Sequence, residues 1–484
     1  MSPGMQLSAF NLYVEDFPHP GETLVHNTFS GAYVVLDRQE MAWLHAATGS
    51  REMSAASRPR VSANDSLTAR ATEWSHPDVG IVVESLDAER EAYQTWFARE
   101  RARPTMHVII SLNLACNFDC PYCCQADVMD GSVMSPEIIE ESAVWLASRA
   151  STIGAESLRL TLMGGEPLLH PERIKQLTAR VRELLEKPID VKLSLITNGY
   201  FLTEEMVRDL LPYGLDAAQV TLDGDASTHH LSRVSKRGEN TFQRIFDNTI
   251  SASRIIRIVL NGNYQEHTIS GFGPLVDQLA DAGLPAETPF HFSPALESLS
   301  APAGSVESAC NWSHSPFEYR VALHDRILER GFQIGSLNFV GPCGFHSHHV
   351  YALDPQGNIF KCPGFLGHPA WRVGHVGSGL TERYAEMLAW DATSGCGRCA
   401  HRPNCGGGCV ADVMLRTGVM DVNCEATYLH AMEQHALPRN YLLAVEDDRE
   451  RALSRFPTPP RALPAPAGAQ PPASGVRVDA LRVL

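Results

Sequence analysis

The chain has little of what a membrane or nucleic-acid protein needs. No apolar run reaches the ~18 residues that span a bilayer, so no membrane partner is expected. The amino terminus, MSPGMQLSAFNLYVEDF, has neither a basic region nor an apolar stretch ending in a small-residue cleavage site, which predicts a cytoplasmic protein. Positive charge is scarce as well. With 40 Lys and Arg against 56 Asp and Glu, the formal net charge is -16, which argues against a nucleic-acid backbone as the partner. Apolar residues are not scarce. At 484 residues and 44% hydrophobic, the chain can bury one barrel-sized core and one or two small ones.

Cysteine is what the chain has in quantity, with twelve residues. In a reducing compartment these are unlikely to form disulfides, which leaves metal or redox chemistry as their leading use. Four lie within LNLACNFDCPYCCQAD, residues 112 to 127. Cys116, Cys120 and Cys123 form C-x3-C-x2-C on a loop leaving a predicted strand. Three soft thiolates on one loop can hold three irons of a cubane and leave the fourth open to an inner-sphere ligand. Zinc is the alternative, although structural zinc sites usually draw four ligands from paired knuckles. Cys124 is read as a packed thiol outside the ligand set.

Residues 1–100 read as a small α+β unit. Thr23–Asn27 and Ala32–Leu36 predict a hairpin, RQEMAWLHAA a helix and DVGIVVES a further strand. From residue 106 strands and helices alternate. Strands are predicted at 107–114, 157–164, 190–197, 217–223, 254–260 and 289–294, with helices between them. Ser135 and Pro136 suit a helix start, and Ile174, Leu177, Val181 and Leu184 share one helical face. Six such units predict a parallel sheet curled into a partial (β/α)6 barrel. Residues 311–440 are rich in Cys, Gly and His, as in a metal-organised domain. In the closing segment, 441–484, a helical end leads to a tail with seven prolines in sixteen residues from Pro457 to Pro472, expected to be extended and disordered.

The second predicted strand ends in MGGEP. Gly164 and Gly165 let backbone approach a ligand, and the Glu166 carboxylate beside Pro167 can hold an ammonium. Barrel active sites gather at this carboxyl end of the strands.

CNFDCPYC, GGEP, ITNG (196–199), VTLDG (220–224), the His229 and Arg233 pair in HHLSR, and RIVLNGN (257–263) together resemble the radical S-adenosylmethionine (radical SAM) enzymes. The likeness covers roughly residues 106–295, within a core assigned to 101–310. His230 stands where that family commonly has Asp. The resemblance implies that Cys116, Cys120 and Cys123 hold a [4Fe-4S] cluster whose open iron binds the methionine amino and carboxylate groups. An electron from a donor such as flavodoxin or ferredoxin would then cleave the sulfonium and give a 5′-deoxyadenosyl radical. By the same resemblance Tyr122 lies near the adenine and Glu166 holds the ammonium, while Asn198, Thr221 and Arg233 reach ribose or carboxylate.

Seven more cysteines follow: Cys343, Cys362, Cys396, Cys399, Cys405, Cys409 and Cys424. Cys343 and Cys362 fit C-x13-G-x4-C, with HHVYALDPQGNIFKC reading as a hairpin that turns at Asp354–Gly357. The rest form C-x2-C-x5-C-x3-C and, after fourteen residues, a last Cys. A zinc knuckle is the alternative for the C-x2-C part. The full set resembles the SPASM extension of radical SAM enzymes. That likeness implies two auxiliary iron-sulfur clusters, one on Cys396, Cys399, Cys405 and Cys424, the other on Cys343, Cys362 and Cys409. The last iron of the second is open or closed by Cys310.

SPASM enzymes mostly act on peptides or proteins. The reading is a maturase that installs an intrapeptide thioether, C–C or C–O crosslink in a ribosomally made precursor. Its alternatives are a sulfatase-type Cys or Ser oxidase, disfavoured by Pro363 where that branch tends to carry Asp, and a non-catalytic electron-transfer protein. Residues 1–100 resemble a winged-helix-like leader-peptide recognition domain, which captures a peptide as an added strand. The loop histidines His346, His348 and His349 read as solvated or as neighbours of the metal site, and no general base is assigned.

Overall fold

The computed structural model describes residues 5–48, 65–123, 125–265, 267–295, 317–334, 343–391, 395–424 and 426–446. Cys124, Cys310 and the proline-rich tail lie outside them.

The amino-terminal part contains β1 (Gln6–Leu7), β2 (Asn11–Glu15), β3 (Glu22–Asn27), β4 (Tyr33–Asp37), α1 (Arg38–Thr48), α2 (Asp65–Trp74), β5 (Val82–Val83) and α3 (Leu86–Arg101). The predicted hairpin is β3–β4, and β2 completes an antiparallel sheet in the order β2-β3-β4. Its core joins Val25 and Leu36 to Trp43, Leu44, Trp74 and Ile81. The DVGIVVES strand is shorter than its sequence suggests. Only Val82 and Val83 pair, with β1.

The next stretch comprises β6 (Thr105–Asn113), α4 (Pro136–Thr152), β7 (Ser157–Gly164), α5 (Pro171–Leu184), β8 (Asp190–Thr197), α6 (Glu204–Leu210), β9 (Leu215–Thr221), α7 (His229–Ser232), α8 (Phe242–Ser253), β10 (Arg257–Tyr264), α9 (Phe272–Asp281) and β11 (Pro289–Pro294). All six predicted strands form. Their pairs are parallel and follow chain order from β6 to β11. The strand predicted at 254–260 moves to Arg257–Tyr264, because Ile255 and Ile256 close the end of α8 by donating to the Ala252 carbonyl. A continuous apolar run does not separate a helix end from a strand start. Ser135 caps α4, its Oγ accepting from the Ile138 N–H at 3.3 Å.

Further on come α10 (Phe317–Glu329), β12 (Gln333–Ile334), β13 (Val350–Leu353), β14 (Asn358–Phe360), β15 (Gly374–His375), β16 (Gly379–Leu380), α11 (Glu382–Ala389), α12 (Arg402–Cys405), α13 (Val410–Thr417) and α14 (Ala426–Val445). The predicted hairpin is β13–β14, with Ala352 opposite Phe360. It belongs to the central sheet. β13 pairs in parallel with β6, so β12 and β16 are the edges of one eleven-stranded, mostly parallel sheet. A single apolar core runs from Met106 and Leu158 to Phe365 and Met414. Among the described residues no helix is long and apolar enough to cross a membrane.

The amino-terminal part seats on the cysteine-rich part. Thr28 Oγ1 donates to the Ala400 carbonyl at 2.6 Å, and the Arg402 guanidinium lies 4.5 Å from the centre of the Tyr93 ring. Leu12 and Leu24 share an apolar cluster with Leu437 of α14.

Candidate active site

The carboxyl ends of β6 to β10 bring the six sequence motifs together. Cys116, Cys120 and Cys123 lie on the loop leaving β6, none of them in a disulfide and all partly buried. Burial pushes the Cys116 thiol up to about 11 and the Cys120 thiol up to about 12, while Arg233 favours both thiolates. Such thiols stay protonated until a metal displaces the proton.

Gly164 and Gly165 let the backbone approach the end of β6 and the start of the cysteine loop. The Gly165 N–H donates to the Asn113 carbonyl at 3.0 Å, and Glu166 N–H to the Ala115 carbonyl at 2.8 Å. A Cβ at Gly165 would overlap the Ala115 carbonyl, and one at Gly164, where φ is 126°, would overlap that of Asn113. Pro167 opens the single helical turn that follows.

Glu166 is fully buried. Its carboxylate accepts from Leu168 N–H at 3.0 Å, Thr197 Oγ1 at 2.8 Å and Asn198 N–H at 2.8 Å. Burial raises its pKa and these donors oppose the rise. Two of these bonds, from Thr197 and Asn198, tie the turn after β7 to the end of β8 and the turn that follows it. Asn198 extends that tie, donating from Nδ2 to Asn117 Oδ1 at 2.8 Å inside the cysteine loop. Thr221 ends β9, with Asn261 Nδ2 3.5 Å from its hydroxyl.

Tyr122 and Arg233 meet at a buried carboxylate that the sequence reading passed over. Asp223 accepts from the Tyr122 hydroxyl and, at 2.7 Å, from Asn263 N–H. Arg233 Nη1 donates to the Tyr122 oxygen at 2.9 Å, and its guanidinium lies 5.5 Å from the centre of the Phe118 ring. His229 Nδ1 accepts from Asp223 N–H at 3.3 Å, and burial lowers this histidine to about 3, keeping it neutral. Among the described residues, Arg233 Nε and His229 Nε2 are buried here with no hydrogen-bond partner. An anionic or polar ligand group would satisfy them. Asp223 was legible as the D of VTLDG; only its burial gave it a role.

The second cysteine set is assembled by tertiary structure. Cys362, just after β14, has Cys409 and Cys343 as its thiol neighbours, and burial pushes its pKa up. Cys396 has Cys399 and Cys424 as thiol neighbours, with Arg402 favouring its thiolate. Cys409 precedes α13, which packs against the turn Pro363–Phe365 that follows Cys362. Between Cys405 and Cys409, Gly406, Gly407 and Gly408 all take left-handed φ, from 61° to 97°. That run reverses the chain between the two cysteines. The segment ending at Cys424 is fastened there, Asn423 N–H donating to the Gly407 carbonyl at 2.9 Å.

Among the described residues no three His, Cys, Asp or Glu side chains converge on a single-ion site. Cys362 lies two residues past Phe360, which is level with Ile109 of β6 through Ala352. It thus stands near the start of β6, whereas the Cys116 loop leaves its end. At ~3.3 Å per residue the sites are separated by roughly 20 Å along the strand.

Residues 110–264 match the family profile described as the Radical SAM superfamily. Among curated proteins, GTP 3',8-cyclase of Parasynechococcus marenigrum is 33% identical over 186 residues, covering 37% of this chain and 48% of that protein. The chain thus spans about half the length of this relative, and 33% to 36% of the next two GTP 3',8-cyclases. Among solved structures, native anSMEcpe with bound AdoMet and Kp18Cys peptide superposes with a TM-score of 0.56 at 16% identity, covering 70% of this chain and 99% of that one. Streptococcus suis SuiB bound to precursor peptide SuiA aligns at a TM-score of 0.48 and 13% identity, over 87% of this chain and 99% of that one.

Proposed function

Residues 110–264 are a radical SAM domain, and from that premise we propose that this enzyme modifies a ribosomally made peptide by oxidative crosslinking. A radical SAM domain implies a [4Fe-4S] cluster and S-adenosylmethionine. The loop fits both: it carries three thiols, none of them in a disulfide, and among the described residues Arg233 Nε and His229 Nε2 are buried donors open to a polar ligand nearby. Cys116, Cys120 and Cys123 would hold the cluster. The chemistry such a cluster would supply is one-electron reduction of the bound sulfonium, to generate a radical able to take hydrogen from the substrate.

The protein's own residues do the positioning. Glu166 and Asn198 fix the turn after β8 against the cysteine loop, and Asp223 holds the Tyr122 hydroxyl in the presence of Arg233. Arg233 is the cation available to a carboxylate. Burial of this group makes such a contact strong and water-free.

The observation that carries the oxidative reading is the gathering of Cys343, Cys362 and Cys409 from three separate segments. A crosslink removes two hydrogens. The radical takes one hydrogen atom; the second leaves as a proton and an electron, and the electron needs an acceptor. We assign that task to clusters held by the second cysteine set. The peptide-bound neighbour supports a peptide substrate, as does the sheet β2-β3-β4. Among the described residues β4 pairs on one side only, leaving an edge to which a leader could add as a strand. The GTP 3',8-cyclase relatives favour a second reading, a nucleotide substrate. Anaerobic incubation with S-adenosylmethionine, a reductant and either a precursor peptide or GTP separates the two. A peptide lighter by two hydrogens supports crosslinking, and turnover of GTP alone contradicts it.

A further inference from the structure

The segment from Arg233 to Gly238 is fastened to the cysteine loop by backbone. Asp119 N–H donates to the Val234 carbonyl at 2.8 Å and Lys236 N–H to the Asn117 carbonyl at 3.0 Å, with Phe118 and Ser235 bridged between them. Asn117 follows Cys116 and Asp119 precedes Cys120, so each bond lies one residue from a thiol. Gly238 N–H then donates to the Ser235 carbonyl at 2.9 Å and closes a turn with Lys236 and Arg237 at its two central positions.

The side chains of this segment divide between two faces. Arg233 turns inward to the Tyr122 hydroxyl. Lys236 and Arg237 are exposed, and so are two large apolar side chains, Leu231 at 42% and Val234 at 39%. Apolar groups rimmed by charge have the make-up of a small protein contact. Arg244 is exposed as well, over the Tyr200 ring whose hydroxyl donates to Glu239 at 2.8 Å. Lys236, Arg237 and Arg244 thus outnumber the neighbouring carboxylates Asp119 and Glu239, on a chain whose formal net charge is -16.

We infer that this face, built on the turn Ser235–Gly238, is where an acidic one-electron donor protein docks. The inference rests on the reading of the Cys116 loop as a cluster site and names the partner of that site. The electron that starts the reaction enters from outside, and electron transfer weakens steeply with distance. A surface bonded to the thiol loop itself keeps that distance short. Most of this molecule repels an acidic partner, so a local positive patch both guides the partner and fixes where it lands.

The test uses the full chain, reconstituted anaerobically with S-adenosylmethionine, and reads the initial rate of 5′-deoxyadenosine release with two reductants. One is reduced flavodoxin below saturation, an acidic protein donor; the other is dithionite, a small reductant that needs no docking surface. Lys236→Glu combined with Arg237→Glu is expected to lower the flavodoxin-driven rate about tenfold or more at low salt, with the gap narrowing as salt rises. The dithionite-driven rate is expected to stay near that of the unsubstituted protein. Val234→Ser, which keeps every charge, is expected to lower the flavodoxin-driven rate by less and without the salt dependence. An unchanged flavodoxin-driven rate in the double variant, or equal losses with both reductants, overturns the inference and leaves the cluster reading standing. A raised KM for precursor peptide in the dithionite-driven reaction of the double variant would assign the face to the peptide and overturn it too. Release with neither reductant from the unsubstituted protein would overturn the cluster reading, and this inference with it.

Discussion

The Cys116 loop and the Cys343–Cys424 set gather thiols by opposite means. In the first, eight residues carry all three cysteines, and the fold has only to hold that loop against β7 and β8. It does so through backbone, with Gly165 and Glu166 donating into the loop. In the second, no segment suffices. A strand end, a helix start and a glycine reversal each deliver a thiol, and the docking of α13 on the turn after Cys362 decides which cysteines meet. One site is written in spacing, the other in packing. Their failure modes should differ accordingly.

The largest contrast is chemical. Cys123→Ala is expected to abolish 5′-deoxyadenosine release, whereas Cys409→Ala retains release and loses the modified peptide, as followed by chromatography and mass spectrometry of one reaction. Equal loss of both products in the two variants would erase the distinction.

Gly165→Ala tests the backbone seam of the first site. The added methyl overlaps the Ala115 carbonyl, so unfolding free energy is expected to fall by about 1–3 kcal/mol and iron loading of the loop with it. Denaturant melts and iron content read this out. Asp223→Ala leaves the buried Tyr122 hydroxyl without its acceptor. A loss of about 1–3 kcal/mol is expected, with weaker S-adenosylmethionine binding by calorimetry. At the second site Gly406→Ala forces a methyl into a left-handed residue with nothing within 4 Å of it, at a cost of about 1–2 kcal/mol. Its damage should be confined to the spectra of the second set.

Acidity gives the smallest and most graded effect. Burial holds His229 at about 3 and His107 at about 4 in the folded chain, against 6.5 when exposed. The unfolded chain therefore takes up protons first as the pH falls. Stability from these two groups is full above pH 6.5 and lost progressively toward pH 4, so melting temperature should decline over that window. His229→Asn should flatten the decline; an unchanged slope would show that other groups dominate it.

The six parallel strands were legible because apolar runs alternate with helices of clear periodicity. The first cysteine loop was legible because three ligand candidates are local. The GGEP glycines were legible as a close backbone approach, and only the fold shows that they face the Asn113 and Ala115 carbonyls. Asp223 was legible as the D of VTLDG, but its role was not, since only the fold buries it against the Tyr122 hydroxyl. The same holds for β2 and for the joining of β13 to β6, where pairing partners lie far apart in sequence.

The central claim is that the two cysteine sites have separate tasks, radical generation and electron removal. It is tested most directly by a triple Cys343→Ala, Cys362→Ala, Cys409→Ala variant, incubated anaerobically with S-adenosylmethionine, reductant and precursor peptide. The account predicts 5′-deoxyadenosine release with no peptide lighter by two hydrogens. Crosslinked peptide formed at the unsubstituted yield would contradict it.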